Sequence, residues 1–165
     1  MKELKILVPG AVACGEKLTI TAPFDFSPIA AADIADPAAV ERALSTADSL
    51  FRDKSKWLAL PERLAILEKT AEIMQGEFEE LAVTAAQEGG KPLLDSKVEV
   101  ARAIDGVKLC IETMRTEAGQ LIPMGANPAS LHKVAFTTRE PIGVVVAVSA
   151  FNHPLNLIVH QVAPA

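Results

Sequence analysis

The side chains best suited to chemistry are gathered in one short elbow: Ser149, Asn152 and His153. A carboxamide supplies fixed donors, a hydroxyl both donates and accepts, and an imidazole exchanges its proton near neutral pH. An apolar run at residues 142–148 leads into the elbow, and Pro154 follows it. Beyond Pro154, Leu155, Ile158, Val159 and Val162 recur at helical spacing. The pattern predicts a strand, a tight turn and the opening of a helix. A doubly wound α/β fold presents polar groups at the carboxyl edge of its sheet in this way.

Other reactive constellations are weaker. Gly89-Gly90-Lys91 invites a phosphate-loop reading, but it lacks the earlier glycine, the following Ser or Thr and a preceding strand. Pro92 points instead to a junction between helices. His153 and His160 could share a helix face, yet no third ligand of suitable type lies nearby, so no metal site is expected. Cys14 and Cys110 lie far apart with no metal or redox spacing, and both read as inert small hydrophobes.

The elements that must position the elbow follow from periodicity and punctuation. Residues 4–8 and 17–22 suit short strands separated by Pro9-Gly10 and Gly15, and a loop rich in Pro and Asp comes next. Asp36-Pro37 is a helix start, with Val40, Ala43, Leu44, Ala47 and Leu50 on one face. Pro61 opens a second helix striped by Leu64, Leu67, Ala71 and Met74, and Gly76 breaks it. A third helix carries Phe78, Leu81 and Ala85 as far as Gly89-Gly90, a glycine C-cap. Pro92 begins a long helix to about Ala118, along which Leu94, Val98, Ala101, Ile104 or Asp105, Lys108 and Ile111 recur. Gly106 is its weak point, at about 1 kcal/mol relative to alanine. Residues 119–138 turn near Gly125 and alternate at residues 133–138, which predicts two antiparallel strands forming an arm. Three regions result: strands and helices at 1–118, the arm at 119–138, and strand, turn and helix at 139–165.

Composition narrows the function classes. The 165 residues are 50% hydrophobic, enough for a core. A net charge of −5 with no basic run argues against nucleic acid and anionic membranes as partners. Aromatic residues make up only 4%, with no Tyr, so base-stacking platforms are not expected. No stretch approaches the length of a membrane span. Neither a secretory h-region nor a disulfide spacing is present, and the expected location is the cytoplasm.

Read together, these segments resemble the amino-terminal third of an NAD(P)-dependent aldehyde dehydrogenase, from about residue 17 onward. The carriers are Pro61 with Arg63 and Leu67, near an x-E-R-x-x-I-L pattern; Glu88-Gly89-Gly90-Lys91-Pro92; and Glu99-Val100-Ala101-Arg102. The most specific is Arg139-Glu140-Pro141-Ile142-Gly143-Val144 leading into Phe151-Asn152-His153-Pro154-Leu155. The resemblance implies the amino-terminal part of that α/β fold: a helical layer, a β-hairpin oligomerisation arm, and the first Rossmann-like strand with the start of its helix. It also implies oxidation of a small aldehyde to its acid through a cysteine thiohemiacetal, with NAD or NADP as cofactor. The full enzyme would be a homodimer or homotetramer.

The resemblance assigns roles to named residues. Asn152 becomes a donor to the oxyanion of the tetrahedral intermediate; the alternative is that it merely starts the turn before His-Pro. Val148, Ser149, Ala150, Phe151 and Asn152 become the lining of the cofactor channel on its nicotinamide-ribose side. Where the family commonly has Thr-Pro-Trp before the asparagine, this chain has Ser149-Ala150-Phe151, and Phe151 could equally be a core aromatic. Arg102 and His153 become substrate-facing groups suited to an anionic aldehyde, because guanidinium binds such anions bidentately. The elbow is similar to that of lactaldehyde and phosphonoacetaldehyde members. The competing account of Arg102 is a surface charge cluster with Glu99 and Asp105.

Neither cysteine sits where the family places its nucleophile, and the glutamate base is not among these residues. The polypeptide alone is therefore expected to be inactive, with residues 144–148 lacking sheet partners and exposing apolar surface. The alternative is a short non-catalytic interaction module built on the same fold.

Overall fold

The computed structural model of the chain describes every residue except Ala13. Three short strands open it: β1 (Lys2–Leu4), β2 (Lys17–Thr21) and β3 (Pro28–Asp33), in the order β1-β3-β2. β3 is central, parallel to β1 and antiparallel to β2, with Ala31 opposite both Glu3 and Thr19. The sequence pattern points to a loop where β3 stands and to a first strand at residues 4–8. Alanine has little strand propensity of its own, so β3 exists because it is paired on both edges. Ala30 and Ala31 are buried there.

The helices follow the predicted punctuation. Asp36 accepts the Ala39 N–H at 2.7 Å and starts α1 (Pro37–Arg52). Glu62 reaches back to the Ala59 N–H at 2.8 Å to close the first turn of α2 (Leu60–Gly76). Then come α3 (Phe78–Gly89) and α4 (Leu93–Thr116), joined through Gly90 at φ 63°. A side chain at Gly90 would bring its Cβ to 3.0 Å from Pro23. Glycine is required there by both its left-handed backbone and its close neighbour.

The core is a helical layer centred on α4. Val100, Ala103, Ile104, Val107 and Ile111 bury against Ala71 and Met74 of α2 and Ala82 of α3, with Leu64, Leu67, Phe78 and Leu81 packed around them. The α2 and α3 stripes agree with the sequence. The α4 stripe does not: Leu94 is 73% exposed and Val98 45% exposed, whereas Ser96 and Glu99 are buried. Counting apolar residues set the helix phase wrongly, because two polar side chains occupy the buried face. The face expected on α1 is largely open, with Val40, Leu44 and Leu50 all exposed.

After α4 the chain extends. β4 (Leu121–Ile122) and β5 (Ala135–Phe136) pair antiparallel, a shorter ladder than the alternation at 133–138 suggests. Residues 142–148 form no ladder with any described residue. A strand, unlike a helix, must take its hydrogen bonds from a neighbour. The one substitute is side-chain made: the Gln161 carboxamide accepts the Val148 N–H and donates to the Val148 carbonyl, each at 2.9 Å. Gln161 lies on α5 (Pro154–Val162), whose Leu155 and Val159 pack on the α4 core.

Candidate active site

The site is organised by Glu99, a carboxylate on the buried face of α4 with 2% of its surface exposed. An isolated buried charge is costly, so its partners explain it. Oε2 pairs with the Lys91 ammonium, placed by the Gly90 turn. Oε1 accepts the Leu155 N–H at 2.8 Å and the Asn156 N–H at 3.1 Å. Those are among the first N–H groups of α5, which have no partner within their own helix and lie at the positive end of its dipole. Glu99 thus caps a helix far from it in sequence. Burial alone pushes its carboxyl pKa up. The Lys91 ammonium and the Asn156 and Leu155 N–H groups more than reverse this, holding it below the ordinary glutamate value.

The same cluster grips the elbow. Lys91 Nζ also donates to the Asn152 carbonyl at 3.2 Å. His153 Nδ1 stands 3.6 Å from Glu99 Oε2. The Ser149 hydroxyl donates to the Pro154 carbonyl at 2.7 Å, tying the near side of the turn to the first turn of α5. The elbow backbone is therefore held through Lys91, the His153 imidazole lies beside Glu99, and Asn152 stays exposed.

Beside this cluster lies a cleft of about 450 Å³ lined by Lys91, Asp95, Val98, Glu99, Arg102, Asn152 and His153. Three of the residues singled out from sequence, Arg102, Asn152 and His153, share it although they come from different elements. Arg102 forms no ion pair with a described residue. Of the two carboxylates near it on α4, Glu99 is occupied by Lys91, with His153 close by, and Asp105 is exposed, as Arg102 itself is. Asp95 shares the wall and is likewise unpaired among the described residues.

Val148, Ser149, Ala150 and Phe151 do not line the cleft. Val148 is 74% and Phe151 91% exposed, so Phe151 is not a core aromatic here. Val148 has both backbone groups engaged by Gln161. Cys14 is exposed and Cys110 sits on α4, raised in pKa by burial; neither reaches the cleft. Among the described residues no group of three or more His, Cys, Asp or Glu could hold a metal ion. Nor is any described helix long and apolar enough to cross a membrane.

Sequence reasoning did not find the contacts of Lys91 and Glu99: it read Lys91 in a motif and in a rejected phosphate loop, and Glu99 in a motif and as a surface neighbour of Arg102. The available signal was phase. Ser96, Glu99 or Val100, Ala103, Val107 and Ile111 make one helical stripe, and a carboxylate on such a stripe must be paired inside the protein.

Residues 12–165 match the aldehyde dehydrogenase family. The 3-sulfolactaldehyde dehydrogenase of Priestia megaterium is 32% identical over 151 residues, covering 91% of this chain and 31% of that protein. The crystal structure of aldehyde dehydrogenase 21 from Physcomitrella patens, in complex with the reaction product succinate, superposes with a TM-score of 0.91 at 29% identity. That match covers 99% of this chain and 34% of the other. Glyceraldehyde-3-phosphate dehydrogenase from Methanocaldococcus jannaschii, complexed with NADP, gives a TM-score of 0.81 at 30% identity, covering 91% and 32%. The chain thus spans about a third of the length of each relative. With residues 12–165 matched by the family and nearly the whole chain superposed on one of its solved structures, this chain belongs to the aldehyde dehydrogenase family.

Proposed function

We propose that these residues form the oxyanion-binding elbow and one substrate wall of an NAD(P)-dependent enzyme that oxidises a small anionic aldehyde to its acid. The observation that carries the reading is the convergence of Asn152, His153 and Arg102 on one cleft. Asn152 presents an exposed carboxamide beside a backbone clamped through Lys91. A donor fixed in advance where negative charge develops is what acyl chemistry on an aldehyde needs. Arg102 supplies a guanidinium with no described carboxylate partner, and His153 adds a ring nitrogen; together they suit a carboxylate, sulfonate or phosphate. The relatives named for sulfolactaldehyde and glyceraldehyde 3-phosphate, and the one holding succinate, concern charged compounds of this kind.

Residues 148–151 fit a dinucleotide in one respect: Val148 and Phe151 leave apolar surface open to a nicotinamide and its ribose. The bound cofactor would accept the hydride. The chain's own part is to seat the aldehyde, hold Asn152 toward its oxygen and keep the anionic group at Arg102. Neither Cys14 nor Cys110 can attack a carbonyl in the cleft, so the 165 residues alone should turn over no aldehyde. The hairpin of β4 and β5 suits an oligomerisation arm in a dimer or tetramer.

The test is a hybrid enzyme in which this chain replaces the matching segment of the Priestia megaterium 3-sulfolactaldehyde dehydrogenase. It should oxidise anionic aldehydes in preference to neutral ones of equal size. Arg102→Met should raise KM for the anionic substrates roughly tenfold or more, the worth of a charge-assisted hydrogen bond. Asp95→Asn, which removes the opposing charge on the same wall, should lower it. Equal KM values for charged and neutral aldehydes in all three proteins would overturn the assignment of substrate class.

A further inference from the structure

We infer that Lys91 and Glu99 act as a buried latch that positions Asn152 for catalysis. They are positioning residues: both border the cleft, but Glu99 is spent on Lys91 and the α5 N–H groups, and Lys91 on Glu99 and the Asn152 carbonyl. The inference rests on the role proposed for Asn152 and adds to it the device that fixes its geometry.

The observations converge on a single carboxylate. Glu99 is fully enclosed, and its two oxygens divide the work: one holds the Leu155 and Asn156 N–H groups, the other holds the Lys91 ammonium. That ammonium keeps a second hydrogen bond to the Asn152 carbonyl. The elbow between Asn152 and Pro154 is therefore pinned at both ends through Glu99 of α4, the most buried helix of the molecule, directly at the α5 end and by way of Lys91 at the Asn152 end. Its near side has only the Ser149 hydroxyl bond and the Gln161 amide pair. Without the latch, the residues flanking Asn152 would be held by exposed contacts alone. Small displacements of a reacting or stabilising group cost large factors in rate. A buried, paired charge on the most buried helix is a suitable anchor for a donor that must not move.

The placement also accounts for the spacing of the two residues. Lys91 follows the glycine turn that ends α3, and Glu99 faces inward two turns into α4. The turn delivers the ammonium to the mouth of the same buried pocket from which the carboxylate meets α5. Glu99 could not move to a neighbouring position and keep both sets of contacts, because an adjacent site on α4 faces away by about 100°.

Hydrogen exchange on the 165-residue chain tests the latch directly. In Glu99→Leu the Leu155 and Asn156 amides should exchange roughly ten- to a hundredfold faster, as befits the loss of a charged acceptor. The Ala103 and Val107 amides serve as the internal reference for the fold and should change by less than about threefold, keeping the effect local. Lys91→Met, the milder variant, should show the same local pattern at smaller amplitude, and Lys91→Arg should restore it. In the hybrid enzyme, assayed with a neutral aldehyde so that loss of a cation from the cleft wall does not enter, Lys91→Met should lower kcat about tenfold with a smaller change in KM, and Lys91→Arg should restore it. Unchanged exchange at Leu155 and Asn156 in both variants, or loss of protection throughout α4 in step with them, would overturn the latch. A kcat in Lys91→Met equal to that of the parent hybrid would overturn its catalytic consequence. A parent hybrid that oxidises no aldehyde would instead count against the function proposed above, and the exchange result would stand apart from it.

Discussion

Two apolar stretches of this chain meet opposite fates. Along α4, Val100, Ala103, Ile104 and Val107 are at most 3% exposed, while Val145, Val146 and Val148 before the elbow are 50–74% exposed. Hydrophobicity does not separate them. Hydrogen bonding does: α4 closes its bonds within itself and needs only side-chain neighbours, which α2, α3 and α5 supply. The run at 142–148 needs another strand's backbone, and no described residue offers one. Helical parts of a fold can therefore be complete locally where its strands remain dependent on the sheet. The elbow is ordered nonetheless, because side chains take over the work: Glu99, Lys91 and Gln161 each bond backbone that a sheet or helix would otherwise satisfy.

The contrast is sharpest for matched truncations. Ile104→Ala should destabilise the helical layer by about 4 kcal/mol, read by urea denaturation, because a buried side chain leaves a cavity. Val146→Ala, at 71% exposure, should change stability by no more than about 0.5 kcal/mol. Equal effects would show that the run is buried in solution and would dissolve the comparison.

Acid should break the bridge between the two regions. The Glu99 carboxyl titrates below its ordinary value in the folded chain. Its contribution is thus fully present above the unfolded value of about 4.3 and is lost as pH falls through the folded value. Stability should be flat with respect to this group from pH 7 to 5 and decline below about pH 4.3. Glu99→Gln should remove that part of the decline in parallel titrations. An identical acid slope in the two proteins would contradict the assignment.

The smallest effect sharpens the helical side. A Cβ at Gly106 would lie 3.5 Å from Val159 and 3.7 Å from His160, ordinary contact distances. Gly106→Ala should stabilise α4 by about 1 kcal/mol through helix propensity. A drop in melting temperature would mean that α5 packs more tightly on α4 than these distances indicate.

What the sequence reveals follows the same division. Helix limits were legible because Asp36, Pro37, Pro61, Gly76 and Gly90 act locally, and the structure uses each as predicted. The cleft was legible in part: Asn152 and His153 are adjacent in sequence, and Arg102 was reached through resemblance. β3 was not legible, since its pairing partners lie elsewhere in the chain and alanine announces no strand. The latch was missed for a related reason. A glutamate on a helix reads as solvent-facing until the phase of the whole stripe is worked out, and the phase of α4 was obscured by Leu94 and Val98 on its open side.

The central claim is that the Asn152 carboxamide stabilises an oxyanion, and kcat of Asn152→Ala in the hybrid enzyme tests it most directly. The account predicts a fall of about a hundred- to a thousandfold, with KM for the aldehyde changed far less. A variant that turns over at the parental rate, with its fold intact by circular dichroism, would contradict it.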